Sequence, residues 1–554
     1  MIEPEQDWTG EFMNRPERKK TTSTRRDYYM IVTMLALMGM LIFRIPLGHL
    51  IGDNGIAYFG LANEIYLVVA GTVSYGLSEA VAVLVRYRVK REQFKSAGKV
   101  LGSALILGGS IGLVLSVLLG FLGHSIAEKV FHIPLAGMAV SLMAPAMFFS
   151  IITGIFRGYF QGNGSRIPTM HSQILHTIFL FVGGLIGATL LYGYGVKVSA
   201  FLQNADYAGA YGAMGASIGF LAASIVCFLH VLVLFFIFKS SLKKQIGSEL
   251  QRNQDTGLHV LQLLAGTSIL YFLYWISFHA LPLLDQYLFF RFVESDNQIG
   301  QWGQYYGKCL VIIGIVCEII NIICMMPVRR VIVSMEREEN RVARERLGTL
   351  IHQCAVIVIP AAVFLAVLAE NILDMLFEGT QQPVWWIQLG SLIIVFYVFA
   401  SVFMEILIKS RKMKYVTGMG AIALILHGGI AALLLKTAQM GITGVVTAVI
   451  VFYAVVTVLG FLLICRSFQY SQEWIRCFAV TIIASAIAGV IAMLLNKVVA
   501  PLLGSIISMI ICLLIAVAVY MVLLIVLRAF KDGELEEMAG GRILIMLAGL
   551  LHFS

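Results

Sequence analysis

Charge is what this chain most lacks: of its 554 residues only 13% are Asp, Glu, Lys or Arg, against 59% hydrophobic. A soluble chain of this length carries about twice that share. No water-facing surface can be built from this composition, and the bilayer is the implied solvent. Patterned cysteine is lacking too. The eight cysteines are scattered and mostly lie inside apolar runs, with no CxxC pair or Cys/His cluster. That excludes a disulfide framework and a zinc site as organising features. Long polar loops are absent, none exceeding ~20 residues, which leaves no room for an independent catalytic structure. A membrane-embedded polyprenyl glycosyltransferase therefore ranks last among the functions weighed, and the chain reads as a non-enzyme. Nucleotide-binding motifs are missing as well. GQYYGKC (303–309) has the wrong spacing for a P-loop and no Ser/Thr. GGSIG (108–112) and GASIG (215–219) match the GxSxG of hydrolases but fall inside apolar runs. There, with GGLIG (183–187), they read as small-residue packing faces.

What is present is a succession of apolar runs and a positive charge. Each run is long enough to cross ~30 Å of hydrocarbon at ~1.5 Å per residue. They fall at 28–50, 58–85, 97–122, 136–160, 168–192, 208–238, 258–284, 304–328, 349–370, 384–408, 414–436, 441–465, 476–497 and 502–528. The expectation is an all-α integral membrane protein of about fourteen transmembrane helices. The net charge of +9 sits in short loops between spans, the distribution of a membrane protein and not of a nucleic-acid binder. One alternate set of loops holds Arg86, Arg88, Lys90, Arg91, Lys95, Arg166, Lys239, Arg329, Arg330, Arg346, Lys409, Arg411 and Arg466. The other holds only Lys129, Lys197, Arg291, Lys308, Lys436 and Lys497. By the positive-inside rule both termini are cytoplasmic, in a multi-pass protein of the cell membrane. The first apolar run has no small-residue cleavage site near its end, so it reads as a retained helix behind a basic tail.

The organisation expected is a tail (1–27), a six-helix lobe (28–238), a polar linker (239–257), a second six-helix lobe (258–465), two further helices (466–528) and a tail (529–554). In that last stretch ILIMLAGLLHF (543–553) is too short to span. The connection RRVIVSMEREENRVARERLG (329–348) suits either a helix on the membrane surface or a solvated hairpin between two spans. The lobes resemble each other. FRGYFQGNGSRIPTMHSQ (156–173) and FMEILIKSRKMKYVTGMG (403–420) both join two helices through a basic turn. Gly212-Ala-Met-Gly215 and Gly441-Ile-Thr-Gly444 open the sixth and twelfth helices. A six-helix offset makes this a parallel repeat, an architecture in which substrate sits between halves.

RIPLGHLIGDNGIAYFG (44–60), FRGYFQG with PT and SQ at 156–173, and LLDQYLFF (283–290) followed by YYGK (305–308) and Met326-Pro327 resemble the polysaccharide-type flippases. These belong to the multidrug/oligosaccharidyl-lipid/polysaccharide (MOP) exporter superfamily. The nearest branch is the stage V sporulation protein B type, with similarity to lipid II flippases of the MurJ type. The resemblance covers about 28–528. It implies a V-shaped fold of two pseudo-symmetric lobes around a cationic cavity in a bacterial membrane. It also implies a lipid-linked oligosaccharide of the cell wall or a polysaccharide as cargo, flipped outward without ATP. A cation-coupled multidrug exporter of the same superfamily is the alternative. No cofactor or metal is expected beyond a coupling Na⁺ or H⁺, and the chain is expected to be monomeric among membrane lipids.

A charge inside a span costs ~2.5–3.5 kcal/mol on insertion scales, so each must have a partner or water. Arg44, just before Pro46, either forks onto pyrophosphate oxygens or snorkels to the interface or pairs with Asp53. Lys308 is a cavity cation by resemblance or a plain loop lysine. Asp285 either pairs with Lys308, binds a coupling cation, or caps a helix end. Arg157 beside its basic turn suits orientation and head-group contact, or capture of substrate at the inner mouth. Glu64, Glu79, Glu318 and Glu405 are the ion-coupling candidates, with silent pairing to Arg44 or Arg157 as the other reading. Glu64 and Glu79, fifteen apart, share roughly one helix face. His176 and His427 read as isolated core histidines.

Overall fold

The computed structural model describes residues 19–247, 256–377 and 384–530. Most of the expected N-terminal tail, the middle of the 239–257 linker and the C-terminal tail from 531 lie outside them. No strand occurs among the described residues. The helices are α1 (Lys19–Ile42), α2 (Arg44–Lys90), α3 (Phe94–Lys129), α4 (Gly137–Gly162), α5 (Ile167–Leu202), α6 (Asp206–Gly247), α7 (Gly257–His279), α8 (Leu281–Phe292) and α9 (Gln298–Gln304). After a π turn at Tyr305–Cys309 come α10 (Leu310–Met325), α11 (Val328–Glu336), α12 (Asn340–Val367), α13 (Ala369–Leu376), α14 (Val384–Gly390), α15 (Leu392–Lys409), α16 (Met413–Lys436) and α17 (Ile442–Phe468). A second π turn, Ile475–Ala479, leads into α18 (Val480–Val526).

Among the described residues, twelve continuous helical segments are long and apolar enough to cross a membrane. Two are too long for one crossing: Ile31–Lys90 has 60 residues and Ile475–Val526 has 52, about 90 and 78 Å if straight. Each doubles back at a glycine, Gly52 (φ 73°, ψ 175°) and Gly504 (φ 78°, ψ 165°), in a backbone region open essentially to glycine alone. The reversal is visible in contacts. Arg44 meets Glu64 at 3.4 Å and Ser508 meets Asn496 at 2.6 Å, where straight helices would hold them roughly 30 and 18 Å apart. Counting each doubled segment twice gives fourteen crossings, in agreement with the hydropathy runs.

The turns beside basic residues are short and share one device. Glu92, Gly164, Glu338, Arg411 and Gln469 each take positive φ, the left-handed residue that ends a helix and frees the chain to reverse. The 329–348 connection is a hairpin: α11 ends at Glu336, α12 begins at Asn340, and Arg346 donates back to Ser334 at 2.6 Å. Gly212 stands two turns inside α6, which begins at Asp206, so it does not open that helix; Gly441, with φ 55°, does precede α17.

The three glycine-rich motifs are packing faces. A Cβ on Gly187 would fall 2.4 Å from the Gly215 carbonyl oxygen, and one on Gly219 would fall 2.2 Å from the Gly184 nitrogen, so α5 and α6 touch backbone to backbone. Gly108 lies under Ile155 and Leu77. Outward, α3 presents Phe121 (83% exposed) and Ile106 (74%), and α16 presents Ile425 (74%), side chains that only lipid can cover at this density.

Helices α2 to α6 pack on one another, and α10, α12 and α15 to α18 form a second group. Helix α7 packs on α2 and α3 as well as on α16, and α1 packs on both α5 and α10. The seam between groups depends on glycine: Gly71 and Gly76 of α2 receive the rings of Trp275 and Phe272, Gly60 receives Tyr306, and Gly303 lies on the backbone of Asp53. Trp275 also donates its indole N–H across the seam to the Leu67 carbonyl at 2.9 Å.

Candidate functional site: a polar chamber between two helix groups

A cavity of about 500 Å³ opens along this seam. The first group supplies Arg44, Glu64 and Leu67, and α1 adds Leu41; the second supplies Asn321, Tyr397, Ser401, Glu405 and Tyr453, and the π turn adds Tyr306; α7 brings Tyr274, Phe278 and His279. Its centre of charge is a compact knot. Arg44 Nη2 lies 3.4 Å from Glu64 Oε1, and its guanidinium carbon stands 4.0 Å from the centre of the Tyr306 ring. The Tyr306 hydroxyl donates to the same Oε1 at 2.6 Å. Asn63 Nδ2 donates both to Glu64 (3.2 Å) and to the Tyr306 oxygen (3.1 Å). One carboxylate thus accepts three donors, the condition under which a charge persists away from bulk water. The fold-back at Gly52 makes the knot possible, since it brings Arg44 and Glu64 onto facing limbs of one chain segment.

Charge-bearing residues on the chamber wall are one arginine, Arg44, two glutamates, Glu64 and Glu405, and His279. The cationic cavity implied by resemblance is therefore, among the described residues, a mixed one. Glu405 is paired within its own helix to Lys409 at 3.4 Å. His279 stacks on Trp275 with ring centres 3.6 Å apart.

The other candidates fall elsewhere. Lys308, buried, is paired to Asp53 at 2.8 Å, which fastens α2 to the π turn; it is not on the chamber wall, where Arg44 stands instead. Asp285 pairs not with Lys308 but with His427, Oδ1 to Nε2 2.7 Å, so His427 is not an isolated core residue. Glu318 accepts the Tyr397 hydroxyl at 2.5 Å. Arg157 is packed inward on α5, its Nε donating to Ser172 Oγ at 2.7 Å, and it is not at the chamber. Glu79 is half-buried on α2, within electrostatic range of Arg86, Arg166, Lys409 and Glu405; of the pair expected to share a face, only Glu64 lines the chamber. His176 packs edge-on against Phe220. Sequence reasoning missed the aromatic wall, Tyr274, Phe278, Tyr306, Tyr397 and Tyr453. The signal available was tyrosine recurring inside apolar runs, where a hydroxyl needs a partner.

A second cavity of about 510 Å³ is almost wholly apolar, walled by Val316 and Ile320 of α10, Ile357 and Phe364 of α12, and Val517 and Met521 of α18. Helix α10 separates it from the chamber, presenting Asn321 and Met325 to one side and Val316 and Ile320 to the other.

Residues 29–186 match the MatE family model. Over 519 residues the chain is 20% identical to stage V sporulation protein B of Bacillus subtilis (strain 168), covering 93% of this chain and 96% of that one. Its fold is similar to that of the lipid II flippase MurJ in an inward closed conformation, with TM-score 0.63 and 15% identity over 90% of this chain and 98% of that one. It is similar also to an inward-facing multidrug resistance MATE family transporter of the MOP superfamily, with TM-score 0.62 and 13% identity over 78% and 94%. The fold is that of the MOP-superfamily transporters, and the chain is a multi-pass protein of the bacterial plasma membrane.

Proposed function

We propose that this chain, a bacterial membrane protein with the MOP transporter fold, flips a polyprenyl-pyrophosphate-linked saccharide from the inner to the outer leaflet by alternating access. The observation that carries the reading is the adjacency of two unlike cavities across α10. A chamber holding Arg44 among hydroxyls and amides suits a pyrophosphate–sugar head, because a guanidinium forks onto phosphate oxygens. The apolar groove suits a hydrocarbon chain, at ~0.8 kcal/mol per buried CH₂. Similarity along nearly the full length to a sporulation protein, and in fold to a lipid II flippase, supports the same reading. ATP has no part in it, so the driving force is an ion gradient, the membrane potential or downhill flux.

The multidrug alternative is favoured by a specific feature: Glu64 and Glu405 stand among five aromatic rings on the chamber wall, a lining that suits an organic cation. One experiment separates the two. Arg44→Ala/Glu64→Gln, which removes both charges of the knot together, is expected to leave protein levels normal and to abolish rescue of a flippase-depleted strain. Full rescue by that variant overturns the phosphate-binding role, and resistance to cationic dyes that depends on Glu405 transfers the assignment to drug export.

A further inference from the structure

Helix α7 carries a run of rings of which the chamber wall uses only one end. Tyr271, Tyr274, Trp275, Phe278 and His279 stand at i, i+3, i+4, i+7 and i+8, the spacing that puts them on one face of a helix. From α2, across the seam, Tyr75 reaches in among them. Its ring centre lies 4.9 Å from that of Trp275, 5.9 Å from Tyr274 and 6.3 Å from Tyr271. Trp275 in turn stacks on His279 at 3.6 Å, and Tyr274 packs on Phe278 at 5.1 Å. The rings form one column. It starts at His279, Phe278 and Tyr274 on the chamber wall and runs about 12 Å along α7 to Tyr271, within electrostatic range of Arg86. That is the length of a disaccharide. All six rings are half-buried, so the column keeps open surface along its course.

Two carboxylates border it. Glu79 stands one turn beyond Tyr75 on α2 and lies within electrostatic range of Tyr75, Tyr271 and Tyr274. Glu405, on the chamber wall, is in range of Tyr75 and Tyr274. Neither acid is an unbalanced charge. Glu405 lies 3.4 Å from Lys409, and Glu79 has Lys409, Arg166 and Arg86 around it. Two acids against three bases leave no negative excess to draw an organic cation, while the carboxylate oxygens still accept hydrogen bonds. Trp275, the ring a cation favours most, is already covered by His279 and Tyr75.

A pyranose has two kinds of surface. Its C–H groups make an apolar face that lies flat on an aromatic ring, and its rim of hydroxyls donates to carboxylates and phenols. A half-open column of rings edged by neutralised acids answers both. We propose that this column, from His279 to Tyr271 with Tyr75 set between, is a saccharide subsite in which Glu79 and Glu405 accept from the sugar hydroxyls. Arg44 shares the chamber wall with His279 and Tyr274, so a pyrophosphate held there leaves its sugars free to extend along α7.

The subsite rests on the transport reading above and deepens it, giving the sugar a place of its own beside the phosphate. The full chain in detergent is titrated with undecaprenyl pyrophosphate and with undecaprenyl pyrophosphate carrying di-N-acetylchitobiose, binding being read by native mass spectrometry. The sugar-bearing lipid is expected to bind about tenfold tighter, the size of one good aromatic contact. Tyr271→Leu should erase that preference and leave the affinity for the bare lipid unchanged. Arg44→Ala/Glu64→Gln should weaken both lipids and keep their ratio. Should Tyr271→Leu fail to fold, Tyr271→Phe and Glu79→Gln preserve shape, and each is expected to cut the preference about threefold. Equal affinity of the two lipids for the wild type overturns the subsite and leaves the flippase reading standing. So does a preference that survives every one of these tyrosine and glutamate changes, or a Tyr271→Leu that weakens both lipids alike. Failure of either lipid to bind at all overturns both readings. Ethidium, titrated alongside, reads the rival occupant: if Tyr271→Leu abolishes its binding and spares the saccharide preference, the column belongs to organic cations.

Discussion

At the residue scale, the Arg44–Glu64 knot is balanced against the membrane rather than for added stability. Breaking one half of a buried pair leaves the other charge stranded, at about 3–5 kcal/mol, whereas removing both is far milder. Glu64→Ala is therefore expected to lower the thermal stability of the purified protein markedly, since it strands Arg44 and frees the donors on Asn63 and Tyr306. Arg44→Ala/Glu64→Gln should recover most of that loss, as measured by thermal unfolding in detergent. Equal destabilisation by single and double changes would mean the two side chains do not depend on each other. Arg44 was legible in the sequence because an arginine inside an apolar run demands an explanation. Its partner was legible only as a choice, since pairing with Asp53 and with Glu64 were both open from the sequence and only the Gly52 reversal chooses between them. The same holds for Asp285, for which Lys308 was one of three readings and which finds its histidine 142 residues away. Spacing along one helix tells which side chains share a face; it carries no information about which helix that face meets.

At the scale of elements, hydropathy located the helices because a span has to be apolar over its whole length, and glycine marked where helices touch. Residues 183–187 and 215–219 face each other so closely that a methyl group cannot be inserted. Gly215→Ala would place its Cβ 2.1 Å from the Gly187 carbonyl oxygen, and the resulting separation of α5 and α6 is expected to cost about 1–3 kcal/mol. Gly102→Ala on α3 is the control, since no atom lies within 4 Å of its added Cβ, and there a helix gains about 0.5–1 kcal/mol from losing glycine. Thermal unfolding of the two variants should move in opposite directions; parallel shifts would remove the close-packing account. What the glycine pattern could not reveal is that α7, placed by sequence with the second lobe, also lies against α2 and α3. The contact is made by Gly71 and Gly76, which look like any other glycines in a span.

At the scale of the whole molecule, the alternation of basic loops predicts which face meets the cytoplasm. Of the eight cysteines seven are buried, so a single introduced cysteine can be read against a low background. Glu92→Cys, in the turn after α2, is expected to react with an impermeant maleimide only after the cells are opened. Asp296→Cys, in the connection after α8, should react in intact cells. The reverse pattern would invert the protein and the direction proposed for transport with it. The π turn at Tyr305–Cys309 carries a consequence for the alternating access proposed above. A π turn holds one residue more than a regular helix allows, and squeezing it out turns everything on one side by about 100°. Tyr306, which grips Glu64, and Lys308, which grips Asp53, sit on that same ring of backbone. A single local rewinding would swing both hands off their holds in one stroke, and with them the fastening of the second half to the first.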